Sequence, residues 1–246
     1  MTVVPHPRFS GELAGGVVPA GPSARRPAWL DTLAETVAAT PAERYSRFLP
    51  PDDGGRESAV LILFGPNPVA GEDVLLIERA HDMRSHAGQV AFPGGALDPE
   101  DVGDPVAAAL REAQEETGLE RAGVDVVASL PQLFLPPSGF VVTPVVGWWS
   151  TPSPVGAMDP REVAEALLVP VAHLVNPAHR HTVVHHTGYR GVAFDVHPLV
   201  VWGFTGGLLS TVLDLAGLSL PWDESDERTL PERFAQGSRY RWKVQE

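Results

Sequence analysis

Apolar residues along the chain follow two spacings, one typical of strands and one typical of helices. Apolar runs at residues 58–64, 74–77, 89–92, 124–130 and 141–148 predict strands, and the run at 58–64, followed by a turn, predicts a buried one. From Trp29 to Ala39 the apolar positions recur every three or four residues, which predicts a short amphipathic helix. Residues 181–186 and 192–196 flank a turn that contains two glycines, so a β-hairpin is predicted there.

Two Asp-Pro pairs indicate where helices begin. Aspartate can accept hydrogen bonds from free N–H groups at a helix start, and proline suits the first helical position. Asp104-Pro105 therefore predicts a helix to about Thr117, with Gly118 as its C-terminal stop. By the same rule Asp159-Pro160 predicts a helix to about Leu168, and residues 207–215 have a helical pattern as well.

Mixed strands and helices predict an α/β protein with one main domain over residues 28–222. Residues 1–27 are rich in Pro and Gly and are expected to form a flexible arm, and residues 223–246 a charged C-terminal tail. The N-terminus lacks a basic start followed by an apolar stretch, and no run is long enough to span a membrane. A cytoplasmic protein without a membrane partner is the expectation.

The net charge of the chain limits the kinds of molecule that it is expected to bind. The chain has 246 residues and a formal net charge of −13, so binding along a nucleic acid backbone is not expected. A small anionic ligand stays compatible, since a metal or a local arginine cluster can reverse the field in one cleft. With no cysteine there is neither a thiolate nucleophile nor a cysteine metal site. The sequence leaves the oligomeric state open, and a homodimer is one of the states it allows.

Three glutamates crowd one face of the helix predicted after Asp104. At 100° per residue an apolar stripe faces the core, formed by Val106, Ala109, Leu110, Ala113 and Thr117. Glu112, Glu115 and Glu116 lie on another face, where their charges repel each other. Such a cluster suits a hard divalent cation such as Mg²⁺ or Mn²⁺. A solvated acidic helix face is the alternative reading of these three residues alone.

The surrounding residues resemble a known motif. Gly95 is followed after five residues by Asp101 and, after nine more, by the string Arg111-Glu112-Ala113-Gln114-Glu115-Glu116-Thr117-Gly118-Leu119. This resembles the box of the Nudix hydrolases, which reads Gly, five residues, Glu, seven residues, Arg-Glu-aliphatic-x-Glu-Glu-x-Gly-aliphatic. The chain departs from it in having Asp at 101 and two extra residues before Arg111. A shorter carboxylate at 101 puts its role as a metal contact in doubt.

The resemblance implies a fold and a set of roles. The fold would be a Nudix-type α/β/α sandwich with a mixed, curved sheet. Glu112 and Glu116 would be the main metal ligands, and Glu115 would share ligation or position the attacking water. Arg111 would form an ion pair that orients these carboxylates. Bound cations would clamp pyrophosphate oxygens and acidify a water.

Residues before the box resemble the signature of the coenzyme A pyrophosphatases. Leu75-Leu76 is followed by Arg79 and later by His86-Ala87-Gly88-Gln89-Val90-Ala91-Phe92-Pro93-Gly94-Gly95. Segments 136–147 and 201–205 are similar to that subfamily as well. The resemblance implies hydrolysis of coenzyme A or its acyl esters to 3′,5′-ADP and (acyl) 4′-phosphopantetheine.

A basic cluster precedes the metal loop of this acidic chain. Arg79, Arg84 and His86, together with Gly95, are the expected substrate contacts, with His81 nearby. Because coenzyme A carries a 3′-phosphate beside its pyrophosphate, a second anion site is chemically sensible, and Arg79 is its expected contact. The alternative is that the arginines are surface ion-pair partners and His86 a structural residue.

Two further sets are predicted to be structural. His181, His185 and His186 have no carboxylate or cysteine at metal spacing, so a structural or surface role is expected. Nudix proteins often bring one more glutamate toward the metals, but Glu162 and Glu165 are expected to place favourable charge on the first turns of the helix predicted after Asp159.

The sequence thus predicts a metal-dependent pyrophosphohydrolase acting on a small nucleotide. Another nucleoside diphosphate such as ADP-ribose is the competing substrate. A Nudix-fold ligand sensor without catalysis is the alternative from another class, and the intact trio of glutamates argues against it.

Overall fold

The computed structural model describes residues 24–46, 48–52, 54–83, 85–136, 138–185 and 188–230. The α-helices of these ranges are α1 (Ala28–Ala39), α2 (Pro105–Thr117), α3 (Val171–Val175) and α4 (Gly203–Leu215). Single 3₁₀ turns cover Ala42–Arg44, Pro99–Asp101, Arg121–Gly123 and Pro177–His179. No helix in the described part of the chain is long and apolar enough to cross a membrane.

Twelve strands of the described chain form two sheets. In chain order they are β1 (Arg56–Asn67), β2 (Gly71–Arg79), β3 (Val90–Ala91), β4 (Gly94–Ala96), β5 (Val124–Ser129), β6 (Leu133–Leu135), β7 (Phe140–Trp149), β8 (Val163–Pro170), β9 (Arg180–Val184), β10 (Arg190–Val196), β11 (Leu199–Val201) and β12 (Glu227–Thr229). The first sheet has the order β3-β2-β1-β7-β5, with β4 on β1, β6 on β7 and β8 on β2. The second has the order β11-β10-β9-β12.

The first sheet is mixed, and its central strand is buried on both faces. β1 pairs in parallel with β7 and antiparallel with β2 and β4. Successive side chains of a strand point to opposite faces, so Leu61 and Leu63 pack with the alanines of α2, and Ile62 and Phe64 pack on the side of α1 and α4. The result is the predicted α/β/α sandwich.

One predicted helix is wrong. Asp159 does begin a turn, since its carbonyl accepts the N–H groups of Glu162 and Val163, but the chain then enters β8, which pairs antiparallel with β2. Capping residues specify only the first turn of a helix. Pairing with β2 buries alternate residues of β8, including Leu167 and Val169, and this outweighs helix propensities of a few tenths of a kcal/mol per residue.

The second sheet includes residues from the predicted tail. β9 and β10 form the predicted hairpin, and α4 packs against β10 and shares the larger core cluster with it. β12, which lies beyond Asp223, pairs in parallel with β9. β11 contacts β3, so the second sheet supports the strand that leads into the Gly94 loop.

Replacing Val102 by glycine should stabilise the protein. Val102 is 89% exposed and has φ 52° and ψ 32°, a left-handed conformation that a β-branched residue adopts at a cost of about 1–2 kcal/mol. After allowing for the greater freedom of glycine in the unfolded chain, Val102→Gly is expected to raise the free energy of unfolding in urea by about 0.5–1 kcal/mol.

The matched control for this substitution is Val69→Gly. Val69 is 94% exposed and is not among the residues with positive φ. Its replacement should lower stability by about 0.5–1 kcal/mol, because glycine adds conformational entropy to the unfolded chain and relieves no strain in the folded one. Equal changes in the two variants would show that Val102 is not strained.

Candidate active site

α2 presents the three glutamates in the register that the sequence predicts. The Asp104 side chain accepts the Val106 N–H at 2.8 Å, Pro105 occupies the first turn, and Gly118 ends the helix with φ 75°. The helix is buried over a wider arc than its apolar stripe, since Arg111 and Glu116 are 3% and 7% exposed. Burying charged side chains is costly unless they are paired, so their partners define the site.

Arg111 is the hub of the site. Its guanidinium donates to Asp101 through Nε (3.0 Å) and Nη2 (2.9 Å), to Glu112 and Glu115 through Nη1 (both 3.0 Å), and to the Ala96 carbonyl (3.1 Å). The ion pairs predicted for Arg111 are therefore present. A planar guanidinium with five donors can hold several carboxylates in fixed directions, so it orients Glu112 and Glu115 from the same side.

Asp101 is the buried anchor of that hub. It is 4% exposed, accepts two hydrogen bonds from Arg111, and accepts the Asp98 N–H at 2.8 Å. The hydrogen bonds from Arg111 lower the pKa of Asp101, so it stays ionised. The shorter side chain reaches Arg111 from the 3₁₀ turn Pro99–Asp101. This contact gives the departure at position 101 a structural use that requires no metal.

Glu116 is a buried carboxylate beside the Gly94 loop. One of its oxygens accepts the Gly94 N–H at 2.9 Å. Burial raises the pKa of Glu116 to about 8; the Gly94 hydrogen bond and the charge of Arg79 oppose the rise, and the charges of Glu112 and Glu162 add to it. Without further positive charge, this carboxyl group holds a proton at neutral pH.

Glu112 and Glu115 differ in their surroundings. The Glu112 side chain is 18% exposed and Glu115 is 55% exposed. Burial raises the pKa of Glu112, and its hydrogen bond with Arg111 opposes the rise. The Glu112 carboxylate lies against Gly95, where an added Cβ would come within 2.5 Å of it. Gly95 is therefore in contact with a candidate ligand.

The chemistry of these donors fits a divalent cation. Carboxylate oxygens are the ligands that Mg²⁺ and Mn²⁺ prefer, and a cation would supply the positive charge that buried Glu116 lacks. In the described ranges no three acidic or histidine side chains already converge as a metal cage. Arg111 holds two of the three glutamates and the Gly94 N–H holds the third, so binding a metal would require modest reorientation of their side chains.

Among the described members of the basic cluster, Arg79 is the one whose charge acts on a glutamate of α2. Arg79 ends β2, its charge acts on Glu116, and its buried Nε has no hydrogen-bond partner among the described residues. His86 is exposed, with Nδ1 2.9 Å from Gln89 Oε1. The His81 side chain is 71% exposed and lies 3.4 Å from Glu78. Arg84 lies outside the described residues.

The loop after β7 brings Glu162 toward the same helix end. Gly156 and Met158 donate their N–H groups to the carbonyls of Thr117 and Glu116, and the Glu162 carbonyl accepts the Ala80 N–H. The charge of Glu162 helps to raise the pKa of Glu116. The helix-start role expected for Glu162 is wrong, because Glu162 lies in a single turn that leads directly into β8 at Val163. Glu165 lies in β8 opposite Glu78.

The two described histidines of the second set lie in β9 or directly after it, in the second sheet rather than on α2. His181 and His185 are buried, at 3% and 4% exposed, and His181 belongs to β9. His185 stacks on the Trp202 ring with centroids 5.6 Å apart. His186 lies outside the described residues.

Sequence reasoning missed two contacts of the site. It did not identify the Gly94 N–H as a partner of Glu116, and it treated Asp101 as a doubtful metal contact rather than as the anchor of Arg111. The adjacent Gly94-Gly95 pair was a usable signal, since backbone can approach another group closely where Cβ is absent. No local signal marks the Asp101 contact, because it depends on how the loop folds back.

Replacing Gly95 by alanine should reduce turnover far more than stability. The new Cβ would meet the Glu112 carboxylate, the movable end of a flexible side chain, so the fold can adjust while Glu112 is displaced. We expect kcat to fall about tenfold to a hundredfold and the free energy of unfolding to change by less than about 1 kcal/mol.

Gly207→Ala is the matched control for that prediction. Gly207 lies within α4, and an added Cβ would have no atom within 4 Å. Alanine is favoured in a helix by about 1 kcal/mol, so this variant should be slightly more stable and fully active. A Gly95→Ala enzyme with normal turnover would mean that the position of Glu112 is unimportant.

Known proteins resemble this chain over the region that carries the site. A family model of the NUDIX domain matches residues 55–187. The chain is 40% identical to the uncharacterized Nudix hydrolase NudL of Cronobacter sakazakii over 157 residues, which are 63% of this chain and 79% of that protein. It is 37% identical over 157 residues to NudL of Escherichia coli K12, with the same shares. The crystal structure of a Nudix hydrolase from M. smegmatis, RenU, aligns with 72% of this chain and 98% of its own at 19% identity, with a TM-score of 0.49.

Proposed function

This chain belongs to the NUDIX family, and we propose that the bond it hydrolyses is the pyrophosphate of coenzyme A or of an acyl-coenzyme A. It is a Nudix hydrolase that acts on a pyrophosphate substrate. The products would be 3′,5′-ADP and 4′-phosphopantetheine or its acyl form. The observation that carries the proposal is the likeness of Leu75-Leu76, Arg79 and residues 86–95 to the signature of the coenzyme A pyrophosphatases. Arg79 also supplies positive charge near buried Glu116 in a chain of net charge −13.

Nudix hydrolases generally use divalent metal cations, and here Glu112 and Glu116 would hold Mg²⁺ or Mn²⁺ with Glu115 sharing the ligation. A bound cation neutralises pyrophosphate oxygens and acidifies a water. The three carboxylates lie on successive turns of one face of α2, so they could reach the same cation from one side. The Gly94 N–H fixes one oxygen of Glu116, which leaves the other free to bind.

The remaining residues of the site position these groups. Arg111, itself held by Asp101, fixes the directions of Glu112 and Glu115. Glu115 is the most exposed of the three, so we assign it to orienting the attacking water and accepting its proton. Glu162 adds negative charge at Glu116 from another element and would strengthen cation binding.

Arg79 would act at the pyrophosphate rather than at the 3′-phosphate expected from the sequence. Its charge is felt by Glu116, which belongs to the proposed metal site, whereas the 3′-phosphate is attached to the ribose at a distance from the scissile bond. An arginine whose charge lies near the proposed metal ligands would pair with an oxygen of the pyrophosphate. His86 and the turn around it would then face the remainder of the nucleotide.

A substrate panel tests the proposed function. Coenzyme A, an acyl-coenzyme A, 3′-dephospho-coenzyme A and ADP-ribose would be incubated with Mg²⁺ or Mn²⁺, and the products identified by mass. We expect the highest kcat/KM with coenzyme A or its acyl ester and release of 3′,5′-ADP. Preferential cleavage of ADP-ribose would exclude the coenzyme A assignment while leaving the hydrolase itself intact.

Removing the charge of Arg79 should slow hydrolysis of both coenzyme A forms equally. One charge-assisted contact contributes about 1.5–3 kcal/mol, so Arg79→Ala is expected to lower kcat/KM by about tenfold to a hundredfold on coenzyme A and on 3′-dephospho-coenzyme A alike. A loss confined to coenzyme A would place Arg79 at the 3′-phosphate. Arg161→Ala is the control, because Arg161 pairs only with Asp159 among the described residues at the protein surface.

A further inference from the structure

The short strand β12 depends on a few contacts with the second sheet. It pairs in parallel with β9, and all three of its residues are exposed. Before it, Thr182 of β9 donates its N–H to the Asp226 carbonyl at 2.9 Å and its hydroxyl to the Glu224 carbonyl at 2.7 Å. A strand this short at the edge of a sheet gains little from hydrogen bonding alone, so side-chain contacts help to hold it.

An ion pair ties β12 to β10 across the intervening strand. Arg228 Nη1 donates to Asp195 Oδ2 at 2.6 Å, and Arg228 Nη2 donates to Asp226 at 2.6 Å. The sheet order is β10-β9-β12, so the Arg228–Asp195 pair spans β9. The ion pair with Asp195 holds the Arg228 side chain across β9. Another cationic side chain that competed for Asp195 would weaken this ion pair.

His181 of β9 is placed to be that competitor. It is 3% exposed, and its Nδ1 lies 3.6 Å from the same Asp195 oxygen that accepts Arg228. This nitrogen makes no hydrogen bond within the described part of the chain. Burial lowers the pKa of His181, the charge of Arg228 lowers it further, and Asp195 and Asp226 oppose the change. The ring is therefore neutral at pH 7.

Two more histidines lie near the backbone of Asp195. His173 Nε2 lies 2.6 Å from the Asp195 backbone carbonyl, and the His179 ring stacks on His173 with centroids 3.8 Å apart. His173 therefore contacts the backbone carbonyl of Asp195, whereas Arg228 and His181 face its carboxylate.

We propose that His181, Asp195 and Arg228 form an acid-sensitive latch that holds β12 on the second sheet and loosens when His181 is protonated. A proton from solvent makes the His181 ring a cation with an N–H on both nitrogens, so that Nδ1 faces Asp195 Oδ2 as a charged donor. That oxygen is then shared by two positively charged side chains, and the charge on His181 repels Arg228. Because the histidine is buried, the repulsion is weakly screened. The short strand β12 therefore separates from the sheet, whereas β9 stays in place.

The pH range in which the latch opens follows from the direction in which folding changes the pKa of His181. A histidine whose pKa is lowered by folding binds its proton more readily in the open form. The latch is complete above the usual histidine range, near pH 6.5, and opens progressively as the pH falls below it. A carboxylate alone would not produce this window, since the usual aspartate range lies well below it and the hydrogen bond from Arg228 lowers the pKa of Asp226 further.

Hydrogen–deuterium exchange of the full chain tests the latch. After correction for the intrinsic exchange rates, we expect exchange in residues 223–230 and at Thr182 to rise about threefold to tenfold between pH 7.5 and 5.5. In His181→Gln this rise should disappear. A wild-type protein whose corrected exchange is constant over this range, or a His181→Gln variant with the same rise, would overturn the proposal.

Two surface variants keep the test decisive if His181→Gln does not fold. Arg228→Gln removes the ion pair at an exposed residue, so exchange of residues 223–230 should already be high at pH 7.5 and should rise no further. Arg190→Gln removes a different ion pair to β12, with Glu227, and should loosen β12 equally at all pH values while keeping the wild-type rise. Loss of the rise in Arg190→Gln, or its retention in Arg228→Gln, would contradict the assignment to Asp195 and His181.

Discussion

Glu116→Gln is expected to lower kcat about a thousandfold and, in the absence of metal, to make the protein more stable. Glutamine keeps an oxygen that can accept the Gly94 N–H, so the geometry of the site is preserved. It cannot supply the negative charge that the proposed cation requires. Burial raises the pKa of Glu116 to about 8, which means that the charged form costs stability, and the substitution removes that cost.

The stability difference between this variant and the wild type should grow with pH. Between the usual glutamate pKa near 4.5 and about 8 the folded protein binds more protons than the unfolded chain. The wild-type free energy of unfolding therefore falls as the pH rises through this window, and Glu116→Gln lacks that fall. Thermal unfolding in a chelator at pH 5, 7 and 9 should show the variant gaining several degrees at the highest pH.

Adding Mg²⁺ should reverse the order, because only the wild type can use the charged carboxylate to bind it. Glu115→Gln is the matched control: its side chain is 55% exposed, so its metal-free stability should change by less than about 0.5 kcal/mol. A Glu116→Gln protein with near-normal turnover would contradict the assignment of Glu116 as a metal ligand. An unchanged stability at pH 9 would show that the charge of Glu116 does not destabilise the folded protein.

Arg111→Met is expected to destabilise the protein by about 3–5 kcal/mol and to abolish most activity. Arg111 and Asp101 are both buried, and removing the cation leaves the Asp101 carboxylate without the partner that lowers its pKa. Glu112 and Glu115 lose the donor that fixes their directions. Urea unfolding and steady-state kinetics measure the two losses separately.

A second substitution separates positioning from stability. In Arg111→Met with Asp101→Asn, the buried charge is gone, and the amide oxygen can still accept the Asp98 N–H. Most of the lost stability should return, since replacing a whole buried ion pair is often nearly neutral. Turnover should stay low, because nothing restores the orientation of Glu112 and Glu115. If the double variant regains turnover together with stability, Arg111 serves only the fold.

The α2 register could be predicted from sequence because its signals are local. Asp104, Pro105 and Gly118 act on backbone groups within one turn of themselves, and the spacing of Glu112, Glu115 and Glu116 fixes their common face once a helix forms. The same holds for β1 and β7 of the first sheet, whose apolar composition leaves few alternatives to burial on both faces. These local signals supplied the family resemblance and with it the candidate chemistry.

The second Asp-Pro pair shows where local signals end. Asp159 begins one turn, yet the helix predicted after it does not form and the following residues pair with β2 as β8. The partner strand lies about eighty residues earlier in the chain, and no window around Asp159 contains that information. The error also misplaced Glu162, whose charge acts on Glu116 only because β8 is in the sheet.

The sequence by itself determined which side chains could bind a cation and the helix that presents them. Only the tertiary structure decided how those side chains are held: Asp101 behind Arg111, the Gly94 N–H on Glu116, and Glu162 beside it. It also decided that β12 pairs with β9 in the second sheet and that Arg228 of β12 pairs with Asp195. The physical reason is that burial, and therefore the pKa of Glu116 and His181, depends on contacts between residues far apart in the chain, whereas capping and periodicity act within a few residues.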